Sequence, residues 1–261
     1  MSRPYQEIQS SPRLRSYVEC YWSLQERQGT RNDCILPDGC VDILFSTLNR
    51  EPVALTAVGL MTTPLRCNVE AGQAFFGVRF RPGMAAAFLR EAAFLNDKVE
   101  PLESIWGAVA RAIFEQLAES CTPQQMATVM DGFLRPAEAP DAAQRALWRL
   151  PSTGVPLEQL VSDAGLSERH FRRACVERAG VSPKYLRRIL RFRNAVERIR
   201  VMTASAAQPS WAQFAAACGY YDQAHLIREF QEFAGATPGR FLQSQQHRGG
   251  LESNHNESSK S

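Results

Sequence analysis

Residues 167–183 read SERHFRRACVERAGVSP, and 55 positions later residues 222–238 read DQAHLIREFQEFAGATP. Six positions are identical: His170/His225, Arg173/Arg228, Glu177/Glu232, Ala179/Ala234, Gly180/Gly235 and Pro183/Pro238. One structural device therefore occurs twice. In the first copy Leu157, Leu160, Val161 and Ala164 mark the apolar face of a short helix, Gly165 breaks it, and Ser167 offers an N-cap oxygen to the next helix. In the second copy Trp211, Phe214, Ala215 and Cys218 repeat that face, Gly219 breaks it and Asp222 is the cap, after a turn one residue longer. Both second helices stop at Ala-Gly, where glycine accepts a left-handed conformation. New helices start at Ser182-Pro183 and Thr237-Pro238, with proline at the first helical position. Two helices joined by a short glycine-containing turn make a helix-turn-helix.

Such a motif also occurs in proteins that bind no DNA, so the free face of each second helix decides. Phe171, Ala174 and Cys175 turn inward at helical spacing, which places Arg169, Arg172, Arg173 and Val176 outside. In the second copy Leu226, Phe230 and Phe233 turn inward and leave Gln223, Ala224, Ile227 and Arg228 free. Arginine suits guanine edges and phosphates, glutamine suits adenine, and alanine or isoleucine can touch a thymine methyl. Between the copies, Pro183 to about Met202 interleaves Lys184, Arg187, Arg188, Arg191, Arg193, Arg198 and Arg200 with Leu186, Ile189, Leu190, Phe192, Val196 and Ile199. This reads as one amphipathic helix about 30 Å long. Successive major-groove faces lie about 34 Å apart, so one chain could reach two adjacent turns of a duplex.

Charge divides the same way. Residues 1–139 hold 13 basic and 16 acidic side chains, residues 140–246 hold 15 and 9, and the tail from 247 is balanced. The whole-chain net charge of +3 conceals a basic C-terminal part.

The motifs LEQLVSDAGLSERHFRRACVERAGVSPKYLRRILRFRNAV and FAAACGYYDQAHLIREFQEFAGATPGRF resemble the AraC/XylS-type (arabinose-regulator family) transcriptional regulators over about residues 140–245. The resemblance implies an all-α DNA-binding domain with two helix-turn-helix units on one linker helix, and a sequence-specific regulator of transcription. Base-facing positions would be Arg169, Arg172 and Arg173 in one unit and Gln223, Ala224, Ile227 and Arg228 in the other. Lys184 and Arg188 would contact phosphates. His170 and His225, each one residue before a buried side chain, are expected to pack and hydrogen-bond rather than read bases. Double-stranded DNA is the implied partner; a small-molecule effector, a second copy of the chain and RNA polymerase are left open.

Residues 1–134 read as an α+β domain, a small β-rich module followed by helices. Strand-like runs cover Tyr17 to Leu24, Cys34 to Leu36, Val41 to Phe45, Val53 to Leu60 and Ala74 to Phe80. Pro37-Asp38-Gly39 reads as a turn or hairpin loop. Helical patterns follow at Met84 to Leu89, Leu102 to Leu117 and Pro123 to Leu134, then a linker over residues 135–140. The DNA-binding domain is expected over 141–246 and a disordered tail over 247–261. SYVECYWSL, ILPDGCVDILF and GVRFRPGMAAAFL resemble an N-terminal module of a subset of these regulators, which implies a sensor or dimerisation role.

All four histidines lie at 170 or beyond, which excludes a histidine-based metal site or a histidine-dependent catalytic pair in the first domain. Seven cysteines without a C-x-x-C pair, and no signal peptide, fit structural thiols in a reducing, nucleoid-containing cytoplasm. Cys40, beside the Asp38-Gly39 turn, is the candidate for a redox role, because a turn would expose it and nearby amides would lower its pKa. Asp42, on a strand next to Asp38, is expected to point into solvent. Neither phosphate-loop pattern nor an apolar run of about 18 residues occurs. No enzyme, cofactor or membrane reading is supported. The alternative from another class is a small-molecule-binding or cysteine-based redox-responsive protein that binds DNA weakly and without sequence preference.

Overall fold

The computed structural model describes residues 5–26, 31–150, 155–202 and 210–249. An N-terminal β-rich region precedes an all-helical one, as the periodicities imply. Strands β1 (Gln6–Ile8), β2 (Val18–Gln25), β4 (Val41–Leu48), β5 (Glu51–Val58), β7 (Gln73–Phe80) and β8 (Val99–Pro101) form an antiparallel sheet in the order β1-β2-β7-β4-β5-β8. Strands β3 (Arg31–Ile35) and β6 (Leu65–Val69) form a separate two-stranded sheet. Pro37-Asp38-Gly39 is thus a turn between sheets, not a hairpin loop. The β4–β5 hairpin closes instead through Asn49 and Arg50, both at positive φ (52° and 73°), which matches the right-handed strand twist.

One sheet face carries Tyr21, Ile43, Phe45, Phe76, Val78 and Phe80, all buried. Helices α2 (Ala108–Glu119) and α3 (Pro123–Phe133) add to this core: Phe114 meets Phe45 edge-on at 5.6 Å, and the Tyr21 hydroxyl donates to Asp131 Oδ1 at 2.7 Å. The helical pattern from Leu102 is interrupted, because Gly107 at φ 53° separates α1 (Glu103–Trp106) from α2. Met84 to Leu89 forms only a single 3-10 turn, Ala85–Ala87, followed by a second at Ala92–Leu95.

On the opposite sheet face the Trp22 indole lies flat on Gly77, where a Cβ would stand 2.1 Å from Trp22 Cε2. Beside it Asp42 departs from expectation. Its carboxylate is 15% exposed and pairs with Arg79 through Nε at 3.3 Å and Nη2 at 3.1 Å. Burial raises the Asp42 pKa, and the arginine opposes that rise.

The helical region starts with α4 (Ala142–Arg149), capped by Asp141, and continues through α5 (Leu157–Asp163), α6 (Glu168–Ala179), α7 (Pro183–Met202), α8 (Trp211–Ala217), α9 (Gln223–Ala234) and α10 (Pro238–Gly249). Helix α10 continues into the segment expected to be disordered; residues 250–261 lie outside the described residues. Residues 135–140 join the two regions without separating them. The Tyr17 hydroxyl donates to the Glu138 carbonyl, and buried apolar side chains of both regions form one continuous cluster.

Candidate nucleic-acid interface

The two units are built alike. Ser167 Oγ accepts the His170 N–H at 3.2 Å, and Asp222 Oδ1 accepts the His225 N–H at 2.7 Å. The turn before each cap closes through the same bond, Leu166 N–H to the Val161 carbonyl and Tyr220 N–H to the Ala215 carbonyl. Gly180 and Gly235 end α6 and α9 in the left-handed conformation at φ 69° and 66°. Phe171, Ala174 and Cys175 in α6, and Leu226, Phe230 and Phe233 in α9, are buried.

This burial leaves Arg169, Arg172 and Arg173 exposed on α6, and Gln223, Ala224 and Arg228 exposed on α9, with Ile227 half-buried beside them. Lys184 is exposed in the first turn of α7. Arg173 has a loose partner one turn on, Glu177 at 3.7 Å. The histidines differ between copies. His225 is half-buried, meets Tyr220 edge-on and stands 3.3 Å from Glu229 Oε1, whereas His170 is exposed beside the α6 arginines. The expected packing role thus describes His225 alone.

Arg188, expected at a phosphate, is engaged within the protein. Its Nε donates to Glu229 Oε1 at 2.9 Å and its Nη2 to Glu232 Oε2 at 2.5 Å, with the guanidinium over the Tyr185 and Phe233 rings. Arg191 Nη2 joins the same Glu229 oxygen at 2.5 Å. The two carboxylates raise the Arg188 pKa despite its partial burial. Most of the α7 basic stripe is spent within the molecule in this way. Arg187 donates to the Val155 carbonyl, Arg193 pairs with Glu19 and Glu197, and Arg198 donates to Asn194. The apolar side of α7 is clamped as well, since Phe192 meets the rings of Phe230 at 5.0 Å and Phe233 at 5.3 Å. The linker helix is therefore a bracket that holds the second unit, while Lys184 and Arg198 stay exposed on α7 beside the exposed arginines of α6 and α9.

Cys40 is buried, contrary to the exposed turn position expected of it. Burial, with Asp38 beside it, pushes its thiol well above the ordinary value, the reverse of what a reactive thiolate needs. No group of three or more His, Cys, Asp or Glu able to hold a metal ion occurs among the described residues, and none of their helices is long and apolar enough to cross a membrane.

One residue of the exposed face escaped the sequence reading. Tyr221, the residue that makes the second turn longer, is 92% exposed directly before the α9 cap. The unequal turn length was its signal.

Residues 160–244 match the family described as a helix-turn-helix domain, and residues 6–100 match a domain of unknown function (DUF6597). The C-terminal part of the chain is a helix-turn-helix domain of the AraC type. Among solved structures, the chain is similar to ToxT from Vibrio cholerae O395, at 10% identity over 92% of this chain and 96% of that one, with a TM-score of 0.39. It is similar also to unsaturated fatty acid bound wild-type ToxT from Vibrio cholerae strain SCE256, at 9% identity over 92% and 94%, with a TM-score of 0.38. No curated protein matches the chain.

Proposed function

We propose that the chain binds double-stranded DNA sequence-specifically through α6 and α9 and regulates transcription, with the N-terminal domain as its sensor or dimerisation element. The observation that carries this reading is the repeated unit itself: two recognition helices, capped and terminated alike, present Arg169, Arg172 and Arg173, and Gln223, Ala224, Ile227 and Arg228, outward from one shared bracket helix. Three exposed arginines favour guanine and phosphate, and the mixed set of α9 favours a box containing adenine and thymine. Lys184 remains the phosphate contact of this proposal; Arg188 is withdrawn from it because its charge is already met by Glu229 and Glu232.

Selection of binding sites from random duplex DNA by the full chain, at near-physiological salt, tests this. The expected result is two short unlike boxes about one helical turn apart. Binding that follows salt alone and ignores sequence would overturn the proposal, and would favour a ligand-binding protein with only non-specific DNA affinity.

A further inference from the structure

We infer that Glu19, Asn96 and the Asp38–Cys40 turn are positioning residues for DNA recognition: the N-terminal domain grips α6 and α7 together and thereby sets the phase of the two recognition helices on the duplex. This rests on the DNA-binding reading above.

The first grip is on α7. Arg193 donates through Nη2 to Glu19 Oε1 at 2.5 Å and through Nη1 to Glu19 Oε2 at 3.1 Å. Its Nε donates to Glu197 at 2.9 Å, and Nη1 stands 3.3 Å from Cys40 Sγ. All three nitrogens are engaged, so the guanidinium has one orientation, and the planar fork fixes α7 against β2 in direction as well as distance. Both side chains are less than a third exposed, which protects the pair from the screening that weakens surface ion pairs.

Beside this pair the turn itself seats on α7. A Cβ at Gly39 would stand 2.9 Å from Leu190 Cδ2 and 3.3 Å from Leu186 Cδ1, two side chains one helical turn apart. The turn has a fixed shape: Gly39 holds φ 79°, and Asp38 Oδ1 accepts the Cys40 N–H at 2.9 Å. Arg79 on β7 ties Asp38 (3.4 Å) and Asp42 (3.1 Å) together. The sheet thus dictates the turn, and the turn meets the helix.

The second grip is on the end of α6. Asn96 Nδ2 donates to the Ala179 carbonyl at 3.0 Å, one of the terminal carbonyls that a helix cannot satisfy by itself. Here the approach is close enough that a Cβ on Gly180 would stand 2.6 Å from the Ala93 carbonyl oxygen. Helices α6 and α7 are consecutive, and the second unit hangs from α7 through Glu229, Phe230 and Phe233. A tilt of about 10° in a helix about 30 Å long moves its far end by about 5 Å. That displacement exceeds the tolerance of any base contact, so whatever holds α7 decides whether α6 and α9 engage at once.

The test compares wild-type full chain with Glu19→Gln, Asn96→Ala and the charge-swapped double variant E19R/R193E. Two readouts are taken: amide hydrogen exchange along 183–202, and affinity for the selected two-box duplex with its spacer changed by one base pair, a rotation of about 35°. Wild type is expected to discriminate the spacers by about tenfold or more, an amount typical of one lost base contact. In Glu19→Gln and Asn96→Ala, exchange should quicken and discrimination should fall several-fold, while the swapped pair restores both. Discrimination that survives in the single variants, with or without faster exchange, overturns the inference, as does unchanged exchange or a swap without recovery. A wild-type chain with no two-box preference removes the DNA reading itself, a result seen before any variant is compared.

Discussion

Glu229 Oε1 accepts a hydrogen bond from Arg188 Nε at 2.9 Å, from a position on recognition helix α9 where the glutamate is only 2% exposed. A carboxylate so placed joins the linker helix to the helix proposed to meet DNA, and Arg191 doubles the contact at 2.5 Å. Removing one partner of a buried pair strands the other charge. Glu229→Ala is therefore expected to cost on the order of 3 kcal/mol in urea unfolding. Arg188→Ala should lower stability as well, while a Lys184→Ala chain of unchanged stability binds all duplexes more weakly. The opposite pattern, with Arg188→Ala folding normally and losing DNA affinity, would return Arg188 to the phosphates.

Arg173 and Arg228 occupy equivalent positions on the two recognition helices, and both are exposed. Alanine at either should leave the unfolding midpoint alone and weaken binding to the selected site by about 1 to 3 kcal/mol, with relaxed preference at one base. Equal weakening on every sequence would reassign that arginine to a phosphate. Tyr221→Ala belongs in the same series, since that side chain packs on little of the protein and should alter affinity without altering stability.

The repeated unit was legible because its signals are local. Cap and stop, Ser167 with Gly180 and Asp222 with Gly235, bound a single helix in each copy, and the inward Phe171 and Phe230 lie inside those bounds. The N-terminal sheet was legible only in its long strands. β1 and β8 have three residues each, so edge pairing with β2 and β5 creates them rather than their own pattern, whereas β6 alternates clearly as Leu65-Arg66-Cys67-Asn68-Val69 and escaped the sequence reading although its signal is local. The partners of Arg188, Arg193 and Asp42 lie 41, 174 and 37 positions away, and no spacing rule reaches that far. Cys40 failed for the same reason, because the surface that covers its turn comes from α7.

Thiol chemistry should follow burial. The Cys40 thiol is raised by burial and Asp38 in spite of the neighbouring Arg193, and burial pushes Cys20 and Cys175 up to about 12. Cys121 is exposed. Alkylation of the native chain at pH 8, read by mass spectrometry, should modify Cys121 and spare Cys40, Cys175 and Cys218 until urea unfolds the protein. Rapid native labelling of Cys40 would revive the redox reading, as would an oxidant response that Cys40→Ser abolishes.

Acid should weaken the grip on α7 in a defined direction. Burial pushes the Glu19 carboxyl up, but the hydrogen bonds and charge of Arg193 outweigh it and leave the pKa below the ordinary 4.5. A depressed folded pKa gives stabilisation that is complete above the unfolded value and lost as pH falls through the folded one. Asp141 behaves likewise: burial raises it, while the Gln144 amide and Arg178 bring it below the ordinary 3.8. Asp42, raised by burial, runs the other way and softens the loss. The stability gap between wild type and Glu19→Gln should therefore be constant near neutrality and shrink below about pH 4.5. A gap unchanged down to pH 3 would show that the Arg193 pair contributes no proton-linked stability.

Gly180 and Gly235 offer a comparison built into the repeat. Both terminate a recognition helix at nearly the same φ, 69° and 66°, so alanine meets the same left-handed penalty at each, about 1 to 2 kcal/mol. Their surroundings differ. Among the described residues nothing lies within 4 Å of a Cβ at Gly235, whereas one at Gly180 would stand 2.3 Å from Asn96 Nδ2 and 2.6 Å from the Ala93 carbonyl oxygen. The amide can swing aside, but the carbonyl belongs to a backbone turn and cannot move without shifting Ala92–Leu95. Gly180→Ala should accordingly cost more than Gly235→Ala in urea unfolding of the full chain, and the excess should persist in an Asn96→Ala background, where only the side-chain obstacle is gone. Equal costs at the two glycines would mean that the end of α6 stands clear of the N-terminal domain in solution.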